Sequence, residues 1–222
     1  MPFLIRQTFI YAIPLMIVAL AGVFSERSGI INLALEGIMI FGAFIGVCFV
    51  RIMQSAGWFD AAKAAGSWMT LQGYLLLAML VSAALGAVFS LLLAFAAINL
   101  RADQTIGGTA LNMLAPALVL FVVRLIAKQN ELLLLKGDSA SWFMIKKTMF
   151  GFDKKAKLGF FGQTFIDKVY LTTYICIIIF IVLSIILYKT RFGLRLRACG
   201  ENPQAADSLG INVYKMRYAG VC

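Results

Sequence analysis

Residues 169–188, VYLTTYICIIIFIVLSIILY, form an apolar run rich in β-branched side chains and long enough to cross a bilayer. Inside hydrocarbon the backbone has no water to bond, so such a run folds as a helix. Further runs of spanning length lie at 8–24, 29–50, 73–98 and 105–123. With 62% hydrophobic residues and a mean hydropathy of +0.91, the chain is far more apolar than a soluble domain. An all-α, polytopic transmembrane helix bundle, one domain over residues 1–222, is the expected fold.

A net charge of +10 would point to nucleic acid in a soluble protein. Here the basic residues flank the apolar runs as topology signals, and no nucleic-acid partner is expected. Pro14 lies inside the first run and no small-residue cleavage site follows it, so that run reads as a retained helix. Trp58 and Trp68, in the connection 51–72, suit a membrane interface. No histidine is present and no two of the four cysteines are spaced CxxC, so neither a metal site nor a His-based catalytic pair is expected. There is also no GxxxxGKS/T loop and no GxGxxG. Nucleotide energy, if used, must enter through another chain.

The stretch Phe24–Phe44, FSERSGIINLALEGIMIFGAF, places the charged pair Glu26-Arg27 between two apolar runs. Asn32 and Glu36 follow four residues apart, a spacing that puts both on one face of a helix. A carboxylate within a bilayer is costly, so Glu36 should face protein or a water-filled cavity. It is either a site residue or a hydrogen-bonding link between helices. Gly42 and Gly46 form a GxxxG pair on the same run. In 73–98, Ala78, Ser82, Gly86, Ser90 and Ala94 recur every four residues, a stripe that lets backbones pack closely. Residues 99–123 combine Gly107-Gly108, Asn112 and Pro116, and read as a broken or re-entrant helix at 105–123 or as an ordinary span kinked at the proline. The stretch 128–168 carries eight lysines and several aromatics and reads as a surface loop capping one side of the membrane.

In the tail 189–217, Asn202-Pro203 reads as an N-cap with a first-turn proline, and Gly210 as the left-handed residue that ends a helix. A helix over roughly 203–209 is too short to stand alone in water. Ala205, Ala206 and Leu209 give it a shallow apolar face, suited to a groove on a partner. Six basic residues in the tail place it inside the cell, with 128–168 outside if all five runs cross.

Phe24–Gly37 (FSERSGIINLALEG), Gly193–Val213 (GLRLRACGENPQAADSLGINV) and the RADQTIGGTALNML of Asn99–Leu114 together resemble the permease subunits of bacterial ABC importers for simple sugars and nucleosides. The closest likeness is to the branch paired with basic membrane lipoprotein-type receptors, and it covers most of 8–220 outside 128–168. The resemblance implies a multi-pass subunit of the bacterial cytoplasmic membrane. It also implies a second permease subunit, homologous or identical, two cytoplasmic ABC ATPase subunits and an extracytoplasmic substrate-binding lipoprotein. ATP and Mg would sit in the ATPases, with no cofactor in this chain. Glu201–Ile211 would be the cytoplasmic coupling helix, carried by Glu201, Asn202, Pro203, Ala205, Ala206, Leu209 and Gly210. Asn32, Glu36 and Asn112 would lie near the substrate pathway, and Glu26, Arg27, Ser82, Gly86 and Ser90 would be structural. Members of the family continue for several spans beyond the coupling helix, so the chain is expected to be incomplete at its C-terminal end. The competing reading is a self-sufficient secondary transporter or channel using Glu36, which leaves the short capped helix unexplained. An intramembrane enzyme finds no catalytic centre within a span.

Overall fold

The computed structural model describes residues 2–64, 68–127, 144–145 and 169–222. Helix α1 (Pro2–Arg27) is followed by an irregular stretch, 28–34, then α2 (Leu35–Ser55) and the short α3 (Trp58–Ala64). Next come α4 (Trp68–Ile98), α5 (Gln104–Ala127), and the two-residue strands β1 (Met144–Ile145) and β2 (Val169–Tyr170). The chain then continues as α6 (Leu171–Lys189), α7 (Arg191–Glu201), α8 (Pro203–Ser208) and α9 (Val213–Val221). Among the described residues, five helices are long and apolar enough to cross a membrane: α1, α2, α4, α5 and α6. The all-α polytopic bundle expected from the sequence is the fold observed.

The expected break at 105–123 is not there. Residues Gln104–Ala127 are one helix running through Pro116, so the proline-containing ordinary span is the form adopted. The paired glycines serve contact, not interruption. A Cβ on Gly108 would stand 2.8 Å from the Leu33 Cβ, so glycine is what lets α5 lie against the stretch before α2. Asp103 starts the helix, its Oδ1 accepting from the Thr105 and Ile106 amides at 2.8 and 3.3 Å. The irregular backbone lies instead at 28–34, inside the run expected to be helical from residue 29.

The most extensive helix packing joins α2 to α4, where two small-residue stripes meet. A Cβ on Gly42 or Gly46 would lie 3.4 or 3.7 Å from the Ser82 hydroxyl, and that hydroxyl donates to the Gly42 carbonyl. Gly86, Ser90 and Ala94 are buried, and Phe41 of α2 stacks on Phe89 of α4 with centroids 4.6 Å apart. Small residues matter here because lipid tails are as apolar as leucine, so association rests on close packing. The outward residues of α4, such as Val88 and Leu92, are exposed and suit lipid.

Two apolar clusters mark the ends of the bundle. At one end Val50, Met53, Phe59, Ala62, Leu71 and Ala78 pack with Tyr170, and Met144–Ile145 pair antiparallel with Val169–Tyr170. At the other, Ile30, Ala94, Ile98 and Val221 pack together. The described part of 128–168 thus lies at the opposite end of α6 from the tail, as five simple crossings require. The remainder of that lysine-rich stretch lies outside the described residues. Replacing Ala94, fully buried, by leucine overpacks this contact and should cost about 1–3 kcal/mol. Thermal unfolding in detergent checks it, with Val88→Ala on the exposed face expected to leave the midpoint unchanged.

Candidate functional site

The irregular stretch between α1 and α2 is built residue by residue from its hydrogen bonds. Gly29, at φ +86°, ends α1 in the left-handed region. Its amide donates to the Glu26 carbonyl at 3.0 Å and the next amide, Ile30, reaches back to Ser25 at 3.2 Å. That is a Schellman ending with glycine at its left-handed position. The Ser25 hydroxyl donates to the Ile30 carbonyl at 2.8 Å, and Ser28 to the Ser25 carbonyl at 2.6 Å.

Helix α2 then starts without a side-chain cap of its own, because Ala34 stands at the N-cap. The missing acceptor comes from α5. Asn112 Oδ1 accepts from the Gly37 amide at 2.7 Å, and Asn112 Nδ2 donates to the Leu33 carbonyl at 2.6 Å. Gln104 Oε1 accepts from the Ile31 amide at 2.7 Å. Gln104 and Asn112 are eight residues apart, about 12 Å of helix, so 31–37 runs along the first two turns of α5. A Cβ on Gly37 would fall 2.9 Å from the Leu111 carbonyl, so this approach requires glycine.

The shared helical face expected for Asn32 and Glu36 is corrected by this geometry. Asn32 precedes α2, is buried, and folds back to accept from the Ala34 amide at 3.0 Å. Its Nδ2 is buried with no hydrogen-bond partner among the described residues. Glu36 lies in the first turn of α2 and is exposed, where a carboxylate suits the positive end of the helix dipole. Asn112 is half-buried and bonded at both ends of its amide, a clamp on α2. The side chains of Glu26 and Arg27 are exposed, and their backbone carbonyls are what the fold uses. Ser82, Gly86 and Ser90 lie in the α2–α4 contact described above.

The tail is assembled with the same devices. Thr190 caps α7, its hydroxyl accepting from the Gly193 amide at 3.3 Å. Gly193 lies against the Ile186 and Leu187 carbonyls, which lets the chain fold back sharply after α6. Asn202 Oδ1 accepts from the Ala205 amide at 3.1 Å, Pro203 opens α8, and Gly210 closes it at φ +76°. Gly210 donates to Asp207 at 2.8 Å and Ile211 to Ala206 at 3.1 Å, a second Schellman ending. The capped helix read from the sequence is therefore present, one residue shorter than expected, with Glu201 closing α7 before it. Its expected face divides: Ala205 and Leu209 are exposed, the latter at 79%, while Ala206 is buried at 2% in its own chain. On a helix of six residues one position must anchor the turn, and Ala206 does so. The outward surface is made by Gln204, Ala205, Ser208 and Leu209.

The two stretches meet. Gly200 of α7 rests on the Arg27 carbonyl and on Gly29, where any Cβ would collide with backbone. Gly220 of α9 rests on Ser28, whose Cβ would stand 2.5 Å from a Cβ there. Neither contact was legible from spacing, although the Gly-Ile pairs at 29–30 and 210–211 carry the signal for both helix endings. Among the described residues no three histidine, cysteine, aspartate or glutamate side chains come together in a way that could hold a metal.

The model of the family described as branched-chain amino acid transport system / permease component matches residues 4–222. The guanosine ABC transporter permease protein NupQ of Bacillus subtilis is 43% identical over 98% of this chain. The nucleoside ABC transporter permease protein NupC of Lactococcus lactis is 38% identical, also over 98%. A putative glucose ABC transporter permease of Haloferax volcanii is 26% identical over 98% of this chain and 57% of its own. The chain spans 62% of the length of each of the first two relatives. No solved structure matches it. With its five spanning helices, this multi-pass protein of the bacterial cytoplasmic membrane belongs to the permease component family of the branched-chain amino acid transport system.

Proposed function

We propose that the chain is the permease subunit of an ATP-driven importer that moves a nucleoside across the cytoplasmic membrane by alternating access. The observation that carries this reading is the contact of Gly200 with Arg27 and Gly29, which joins α7, the helix leading into the capped α8, to the end of α1 at the α1–α2 junction. The names of the two relatives above 35% identity favour a nucleoside over a sugar.

In this reading the tail faces the cytoplasm and α8 docks on an ABC ATPase through Ala205 and Leu209. Displacement of α8 passes along α7 to the α1–α2 junction by backbone contact, with no flexible side chain between to absorb it. The junction is hung on α5 by Gln104 and Asn112, so α2 and α5 move with it. Glu36 and Asn32 then border the solute path, since an exposed carboxylate at this depth needs water or protein beside it. A second permease subunit, like or unlike, completes the path, an extracytoplasmic lipoprotein delivers the solute, and ATP with Mg is held by the ATPases. The chain carries no catalytic role and no cofactor of its own. A carrier driven through Glu36 alone gains no support, because the helix dipole accounts for that carboxylate and the tail would be left without a task.

Co-purification from the native membrane tests the docking surface. Leu209→Asp should lose both the ATPase and uptake while the chain stays in the membrane. Gly200→Leu should keep the ATPase and lose uptake, because it breaks the link behind the docking surface. Uptake retained in both variants would defeat the reading. Asn112→Ala leaves the Gly37 amide and Leu33 carbonyl unbonded and should lower stability by about 1–3 kcal/mol. Thermal unfolding measures that loss. Asn112→Asp should not restore it, since a carboxylate cannot donate to Leu33.

A further inference from the structure

A cleft of about 450 Å³ lies between the end of α4, helix α8 and helix α9. Its walls include Arg101, Arg217, Asp207, Gln204 and Tyr214, over an apolar floor with Ile98. Two of these side chains stand out. Arg101 is held at φ +50°, alone among the described non-glycine residues in having a positive φ. Such a backbone is uncommon for a long side chain and persists where the surroundings fix it. Arg217 has its Nε buried with no hydrogen-bond partner among the described residues. Two arginines against one aspartate among the lining residues leave the cleft with a net positive charge.

Its depth in the membrane is set by the same elements. Ile98 is the last residue of a spanning helix, and the Tyr218 hydroxyl donates to Asn99 Oδ1 at 2.8 Å, tying α9 to that end. The cleft therefore opens where the apolar span stops, at the level of lipid headgroups. A guanidinium fork matches the oxygens of a phosphate, and basic pockets between helices at this level take anionic headgroups.

We propose that this cleft binds a phosphate-bearing anion, supplied in the membrane by the headgroup of an anionic phospholipid. The phosphate bridges Arg101, on the α4–α5 turn, to Arg217 on α9, whose guanidinium also reaches toward Gly29. Gln204 and Tyr214 supply neutral donors, and Asp207 lies at the same walls as the one opposing charge. Bound lipid would brace α8 and α9 against α4. The inference rests on the membrane location and not on the transported solute.

The test is native mass spectrometry of the whole chain released from vesicles of phosphatidylglycerol in phosphatidylcholine. Wild type should retain phosphatidylglycerol. At roughly 1 kcal/mol per arginine, retention should fall about fivefold in Arg101→Gln and about thirtyfold in Arg101→Gln/Arg217→Gln. Lys215→Gln, exposed on the same segment and outside the cleft, should match wild type. Arg217 lies close to Gly29, so the single Arg101→Gln variant keeps the test valid should the double variant misfold. Displacement of the lipid by millimolar inorganic phosphate in wild type would uphold the anion site and assign it to a soluble phosphate. Equal retention in wild type and Arg101→Gln, with no effect of phosphate, would overturn the proposal.

Discussion

A stretch of chain that leaves the helical ladder inside a membrane must find protein partners for its amides and carbonyls, because hydrocarbon offers none. The α1–α2 junction, at the end of the bundle where Ile30 packs with Ile98, meets the same need of buried backbone through protein partners. The Schellman ending at Gly29 satisfies the last carbonyls of α1. At the start of α2 a local cap is missing, and α5 provides it through Asn112. A cap supplied from another helix fixes the relation of the two helices, which a local serine or aspartate could not do. The approach of 31–37 to α5, held by Gln104 and Asn112, and the glycine at 108 that meets Leu33 belong to this one contact.

The second consequence concerns stiffness. Where α7 and α9 touch the junction, the contacting residues are Gly200, Gly220, Gly29 and Ser28. The Gly200 contact is backbone on backbone and leaves no rotamers to adjust, and Gly220 meets the short, buried Ser28 side chain, so a displacement on one side is felt on the other. The tail that leads to α8 is thereby bound closely to the end of α1 and the junction that follows it. Under the function proposed above, this arrangement would carry a push at the membrane surface to the spanning helices. The exposed Ala205 and Leu209 lie on one side of this linkage and Glu36 on the other.

Charge is distributed to match. Glu36 lies at the positive end of α2 and Arg27 at the negative end of α1, each favourable to its own helix. The arginines of the cleft lie beyond the spans, at the end of the bundle where the tail folds. Val88 and Leu92 are exposed and suit lipid, while Ser82 and Gly86 of the α4 stripe meet α2.

The sequence by itself determined the class of fold, the presence of five runs of spanning length and a short capped helix at roughly 203–209, since each rests on local pattern. Run length against bilayer thickness gives a span, and Asn-Pro followed by Gly at a fixed offset gives a short helix with two ends. The four-residue stripe of α4 was legible for the same reason: it is a property of one helix. What required tertiary structure were the relations between distant segments. Spacing placed Asn32 and Glu36 on one helical face, but the backbone turns at Gly29 and the helix begins only at Leu35, because Asn112 is there to cap it. Gly107, Gly108 and Pro116 read as a break in α5, yet Gly108 admits Leu33 and Gly107 lies against Leu93, neighbours no local rule could supply. Ala206 looked like part of an outward face until α8 had to be seated on its own chain. Local hydrogen bonding and hydrophobic length are written along the sequence, whereas the partner that satisfies an irregular backbone is decided only when separate helices come together.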